Sequence, residues 1–187
     1  KWCLYDLLGG KEYFKLWGLW VFTGFFGEGK TLGMVAYAKN LQKKYPHKNI
    51  KIYSNINVTD QHGKIESVDD ILNLPNASIV ILDEGHADFT ATTGKNAFPV
   101  ELLRRITQQR KHELMIFTTS PVYNRMNIMI RENSNFIIES KNLWGMDRWF
   151  FYTFFRAEEY DLVYENPDKK SKYVYFRESF IASNDVY

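Results

Sequence analysis

The sequence predicts an α/β protein whose mostly parallel central sheet is covered by helices on both faces. Three observations carry that reading. The apolar runs SIVIL (78–82) and LMIFTTS (114–120) have the character of strands buried on both faces. Stretches of helical period separate the apolar runs. A glycine-dense stretch, GFFGEGKTLG (24–33), joins the first strand to the first helix. Strands that alternate with helices make a three-layer sheet.

In chain order, LWVFT (19–23) is a short apolar strand. Lys30 to Lys44 is a helix with Leu32, Met34, Val35, Tyr37 and Leu41 on its apolar face and KNLQKK as a polar end. IKIYSNI (50–56) alternates as a strand does. SVDDILNL (67–74) opens on Ser67, a good N-cap, and Pro75 stops that helix. SIVIL follows as the most hydrophobic strand. VELLRRITQQRKH (100–112) is a helix leading into LMIFTTS, residues 123–132 form a short helix, and NFIIES (135–140) a further strand. The last third is aromatic-rich, partly alternating and split by NPDKKSK. It predicts antiparallel strands with a turn at 166–172, so that residues 146–187 form a β appendage packed on a core of residues 1–145.

The 187 residues suit one domain with a sizeable core, and 45% hydrophobic with 25% charged residues is a globular profile. The formal charge of +2 means that any basic surface is local. Cys3 is the single cysteine, so no intrachain disulfide forms and a reducing compartment fits. No apolar run reaches the ~18 residues of a membrane span, and YFKLWGLWVF is interrupted by Lys15. Nothing at the N-terminus resembles a signal peptide. The expected location is the cytoplasm, and membrane contact would need a segment outside these residues.

Gly24 to Thr31 reads G-F-F-G-E-G-K-T and fits G-x-x-x-x-G-K-[ST] at every fixed position. Gly27 and Gly29 let the backbone curl so that successive N–H groups converge on phosphate oxygens. The helix that starts near Lys30 adds its N-terminal dipole. Lys30 sets a cation on the β- and γ-phosphates, and the Thr31 hydroxyl ligates Mg2+. Gly24, Glu28 and Leu32 complete the expected nucleotide-contacting set. A glycine turn that merely precedes a lysine is the alternative, and the flanking strand and helix decide against it.

Asp83 and Glu84 stand at the carboxyl end of SIVIL, where ligands gather in such sheets. An aspartate there holds the magnesium, and the adjacent glutamate polarises an attacking water. A solvated turn is the alternative for such a pair; beside the cradle it resembles a Walker B motif with a catalytic glutamate, which implies ATP hydrolysis, and no N-K-x-D guanine signature is present. His86 and Asp88 are expected near the mouth of the site or at a subunit contact, because the other histidines show no ligand spacing.

The cradle, ILDEGHADF, the helix with QQRK, and MIREN together resemble the FtsK–HerA branch of additional-strand, RecA-like P-loop ATPases. Within it they look most like viral genome-packaging ATPases and the zonula occludens toxin-like assembly ATPases of filamentous phages. The resemblance spans about residues 19–140. It implies a P-loop NTPase fold, ATP and Mg2+ as cofactors, and a ring homo-oligomer, a hexamer or pentamer, in which an arginine reaches a neighbour's nucleotide. Arg110 best matches that arginine, with Arg105 and Arg131 as the other candidates. The family's sensor strand commonly ends in T-Q, whereas this one ends in Thr118-Thr119-Ser120, so Thr119 or Ser120 takes the sensor position.

The resemblance further implies sequence-independent contact with the DNA backbone and, for packaging, a capsid portal or vertex as partner. Two basic clusters, KNLQKKYPHKNIK (39–51) and RRITQQRKH (104–112), and Lys95 in the loop 90–96 could supply phosphate contacts. The leading expectation is a DNA-translocating motor for viral genome packaging. A filamentous-phage assembly and export ATPase, and an ATP-dependent assembly module with little turnover, are the alternatives. A small-molecule kinase is disfavoured because no lid-like arginine cluster follows the fourth strand.

Overall fold

The computed structural model describes residues 16–84, 100–142, 150–158, 160 and 179–182. His86, Asp88, the loop 90–96 with Lys95 and the turn at 166–172 lie outside these residues.

The strands β1 (Gly18–Thr23), β2 (Lys51–Ser54), β3 (Gly63–Lys64), β4 (Ser78–Leu82), β5 (Leu114–Ser120), β6 (Ser134–Asn142), β7 (Phe150–Arg156) and β8 (Ser179–Ala182) form one sheet. Its order is β3-β2-β4-β5-β1-β6-β7-β8. The first six are parallel to one another. β7 runs antiparallel to β6, and β8 antiparallel to β7.

The helices are α1 (Lys30–Lys44), α2 (Val68–Leu72), α3 (Val100–Thr107), α4 (Gln109–His112) and α5 (Ile128–Asn133). Every residue of β1, β4 and β5 is buried. Because successive strand side chains point to opposite faces, such strands need a cover on both sides. Trp20, Phe22, Ile79, Ile81, Met115 and Phe117 pack with Leu32, Val35 and Leu41 of α1 on one face. Val21, Val80, Leu82, Leu114 and Ile116 pack with Ile71, Ile106 and Ile130 of α2, α3 and α5 on the other. Each such side chain contributes about 1.5–3 kcal/mol on burial.

The expected elements are present with local differences. β3 is an added two-residue strand in a stretch read as loop. The helix expected over 100–112 is divided after Thr107, where Lys111 N–H bonds to the Gln108 carbonyl and tightens the turn. The helix expected over 123–132 becomes a 3-10 turn at Tyr123–Arg125 followed by α5, because the Asn127 side chain accepts from Met129 N–H and caps a new start. α2 starts as expected, with Ser67 and Asp70 forming a reciprocal capping box. The antiparallel strands of the last third continue the sheet from its β6 edge. Phe150, Tyr152 and Phe154 enter one core, and Phe155, Ala157 and Tyr160 the other. The expected boundary near residue 145 falls outside the described residues.

Candidate active site

The site lies at the carboxyl ends of β1, β4 and β5. β5 stands between the cradle strand β1 and the carboxylate strand β4, so the loop, Thr119 and the Asp83–Glu84 pair converge from adjacent strands. They enclose a cleft of about 370 Å³ lined by Phe26, Gly27, Gly29, Lys30, Thr31, Leu32, Asp83, Glu84, Thr119, Pro121 and Phe150.

The loop's shape needs its glycines. Gly27 (φ 80) and Gly29 (φ 77) are left-handed, and Gly29 is the N-cap of α1. An added side chain at Gly27 would meet nothing within 4 Å, so its backbone is open to an incoming group. Glu28 folds back, its Oε2 accepting from Phe25 N–H at 2.6 Å. Lys30 Nζ donates to the Phe25 carbonyl at 2.9 Å and lies 5.4 Å from the Phe26 ring centroid. Burial pushes the Lys30 ammonium below its ordinary pKa, while Asp83, Glu28 and Glu84 offset part of that shift. Phe25 and Phe26 are exposed at the loop's tip.

Asp83 is held from four directions. Its Oδ2 accepts from the Thr31 hydroxyl at 2.9 Å and its Oδ1 from the Thr119 hydroxyl at 2.8 Å. The Asn55 side chain accepts from Asp83 N–H at 2.8 Å and donates to the Asp83 carbonyl at 2.9 Å. The Thr119 hydroxyl also accepts from Glu84 N–H at 2.8 Å. Glu84 has a left-handed backbone (φ 53), uncommon for a residue with a side chain, and its carboxylate is exposed.

The structure thus brings together Gly27, Gly29, Lys30, Thr31, Leu32, Asp83, Glu84 and Thr119. Gly24 and Glu28 line a neighbouring pocket behind the loop instead of the main cleft. Ser120 does not reach the cleft: it is buried and donates to the Val122 carbonyl at 2.9 Å, because alternation along β5 turns it from the face of Thr119. Arg105 donates to the Leu74 carbonyl at 2.8 Å, and the Arg131 guanidinium lies 5.5 Å from the Tyr123 ring centroid. Arg110 belongs to α4, and its side chain lies outside the described residues. Sequence reasoning missed Asn55, whose place at the end of β2 was the available signal. It also missed Phe150 and Tyr152, which come against the cradle from far along the chain.

Among the described residues no cluster of three or more His, Cys, Asp and Glu side chains is placed to hold a metal ion. Thr31 and Asp83 offer a pair of oxygen ligands, which suits Mg2+, an ion that retains waters and substrate phosphates as its other ligands. A triphosphate with Mg2+ fits this set: open glycine backbone, a helix N-terminus, one ammonium and two paired oxygens.

This is the additional-strand P-loop fold with its glycine loop and carboxylate pair brought to one cleft, the fold of the ATPases that the sequence resembles. No protein-family model and no curated protein matches the sequence. Among solved structures, the N-terminal domain of zonular occludens toxin from Neisseria meningitidis aligns with a TM-score of 0.65 at 20% identity, covering 92% of this chain and 97% of that one. The genome packaging NTPase B204 of Sulfolobus turreted icosahedral virus 2 aligns in complex with ATP-gammaS, with a TM-score of 0.54 at 11% identity over 91% of this chain and 94% of that one. Its complex with sulfate aligns with a TM-score of 0.55 at 14% identity, over 93% and 95%.

Proposed function

We propose that the protein is an ATP-hydrolysing motor that moves viral DNA, working in the host cytoplasm as a ring of identical subunits. The observation that carries the hydrolytic part is the convergence of Lys30, Thr31, Asp83, Glu84 and Thr119 on one cleft. Bound MgATP would supply the scissile phosphoanhydride and the metal's charge neutralisation. Lys30 would hold the terminal phosphates, and Thr31 and Asp83 the metal. Glu84, its carboxylate exposed at the cleft, would take the proton of an attacking water. Thr119 and Asn55 would fix the Asp83–Glu84 backbone so that Glu84 keeps that direction.

For DNA, each of the two basic clusters has cations that are held by the protein and cations that are exposed. In the first, Lys39 bonds to the Thr59 carbonyl and pairs with Asp60, and Lys48 pairs with Glu113. This cluster begins on the last turns of α1, about 14–21 Å along the helix from Lys30 at 1.5 Å per residue. In the second, Arg105 donates to the Leu74 carbonyl. Exposed cations remain in both, Lys43 and Lys44 in the first and Arg104 and Lys111 in the second, so both are candidates for phosphate contact, with Arg110 as the candidate trans-acting arginine.

The work done is viral genome packaging on the first reading, with a portal or vertex as partner. A second reading, virion assembly and export of the filamentous-phage kind, is favoured by the higher TM-score with the zonular occludens toxin domain, 0.65 against 0.54 for the packaging NTPase with ATP-gammaS. Among the described residues no helix is long and apolar enough to cross a membrane. The test is ATP hydrolysis with double-stranded, single-stranded or no DNA, beside Lys30→Ala and Glu84→Gln. DNA-stimulated turnover lost in both variants is the expected result. Nucleotide binding without turnover in any condition would overturn the motor and leave an assembly module.

A further inference from the structure

The aromatic strand β7 has no role in the chemistry above, yet it lies against the cradle. Tyr152 is fully buried, and its hydroxyl donates to the Gly29 carbonyl at 2.6 Å. That carbonyl also accepts from Gly33 N–H at 2.8 Å, so both of its lone pairs are used. The rings fit where side chains are missing. A Cβ on Gly29 would lie 2.5 Å from the Phe150 ring, and one on Gly33 2.2 Å from the Tyr152 ring. Phe150 and Tyr152 are two apart on a strand and share a face; Gly29, the N-cap of α1, and Gly33 are four residues apart, and the Gly29 carbonyl accepts from Gly33 N–H. Two strand residues span about 6.7 Å and four helical residues about 6 Å, so the two pairs match in spacing.

We propose that Tyr152 is a positioning residue for nucleotide binding, an inference that rests on the nucleotide reading of the cleft. A trans peptide is planar, so the Lys30 N–H points opposite to the Gly29 carbonyl. Holding that carbonyl from the β7 side aims the Lys30 N–H, one of the unpaired donors at the start of α1, toward the phosphate position. Phe150 backs the same peptide and forms part of the cleft wall. β7 thereby sets the direction of a phosphate-binding donor in a loop more than a hundred residues earlier in the chain.

The test is equilibrium titration of the unmutated chain, Tyr152→Phe and Lys30→Ala with a fluorescent ATP analogue and Mg2+, with thermal melting of each. Tyr152→Phe keeps the ring in place and removes only the hydroxyl. The expected result is a Kd raised about fivefold, the scale of one hydrogen bond, with a cooperative melt near that of the unmutated chain. In turnover the same variant would raise KM and leave kcat within about twofold. Equal Kd for Tyr152→Phe and the unmutated chain overturns this inference alone. So does a variant that loses its cooperative melt together with binding, because the hydroxyl would then be structural. Absence of binding by the unmutated chain overturns the nucleotide site itself and this inference with it.

Discussion

Replacing Thr119 with valine removes one hydroxyl and keeps the side chain's shape, so no cavity is created. Two bonds disappear, the 2.8 Å bond to Asp83 Oδ1 and the 2.8 Å bond from Glu84 N–H. A hydrogen bond to a charged group contributes about 1.5–3 kcal/mol and a neutral one about 1 kcal/mol. Water at the exposed Glu84 restores part of this, leaving a net loss of about 2 kcal/mol. Asp83 keeps Thr31 and Asn55 as partners, so the loss falls on the direction of Glu84. Expressed wholly in the transition state, about 2 kcal/mol is roughly a 30-fold fall in kcat. KM for ATP should stay within about threefold, because Lys30 and the loop are untouched. Steady-state ATPase kinetics read both constants, and Thr119→Ser should return kcat to within about threefold of the unmutated chain, since it restores the hydroxyl. A folded Thr119→Val chain with unchanged kcat would refute the idea that Thr119 orients the carboxylate pair.

Other outcomes follow from the same geometry. In Gly24→Ala the new Cβ would meet the Ser140 carbonyl oxygen at 2.6 Å and Glu28 Oε2 at 2.7 Å, at a φ of 152. The expected loss is about 2–3 kcal/mol, against about 1 kcal/mol for Gly27→Ala, where only the positive φ opposes the change; denaturant melts of the two variants give the order. Arg105→Ala should cost about 1–2 kcal/mol of stability through its lost bond to the Leu74 carbonyl and leave turnover unchanged. A selective loss of turnover would instead assign Arg105 a role at a nucleotide. For Lys30, burial favours the neutral amine, so the folded chain gives up this proton at a pH below 10.5. Nucleotide affinity should therefore fall as pH rises through the alkaline range below 10.5, and Lys30→Arg, which stays charged, should flatten that fall. On the stability side, the unfolded chain holds the proton longer, so this group favours folding as pH rises across the same window.

The parts of the site that were legible in the sequence are those that follow one another in the chain. The loop with Lys30 and Thr31 announces itself by glycine spacing, and Asp83–Glu84 by its place after SIVIL. The start and end of α1 were readable because the loop precedes it and the polar run KNLQKK closes it. Thr119 and Ser120 could not be told apart, because β5 is buried on both faces and has no polar–apolar alternation to show which way each side chain points. Asn55 was hidden for another reason: its amide acts on the backbone of Asp83, a contact made across the sheet. Phe150 and Tyr152 read as ordinary sheet aromatics, since nothing near them in sequence shows that β7 pairs with β6 and brings them to Gly29 and Gly33.

The cradle's own charges already have local partners, Glu28 on the Phe25 N–H and Lys30 on the Phe25 carbonyl. A phosphate that recruits Lys30 must compete with that carbonyl, so binding is an exchange of partners and its net free energy is a difference between two similar terms. The reverse exchange is equally available to a departing phosphate, because the ammonium has a seat to return to. Such a loop trades tightness of grip for ease of release, a balance that would suit the proposed motor, whose usefulness would be measured in completed cycles.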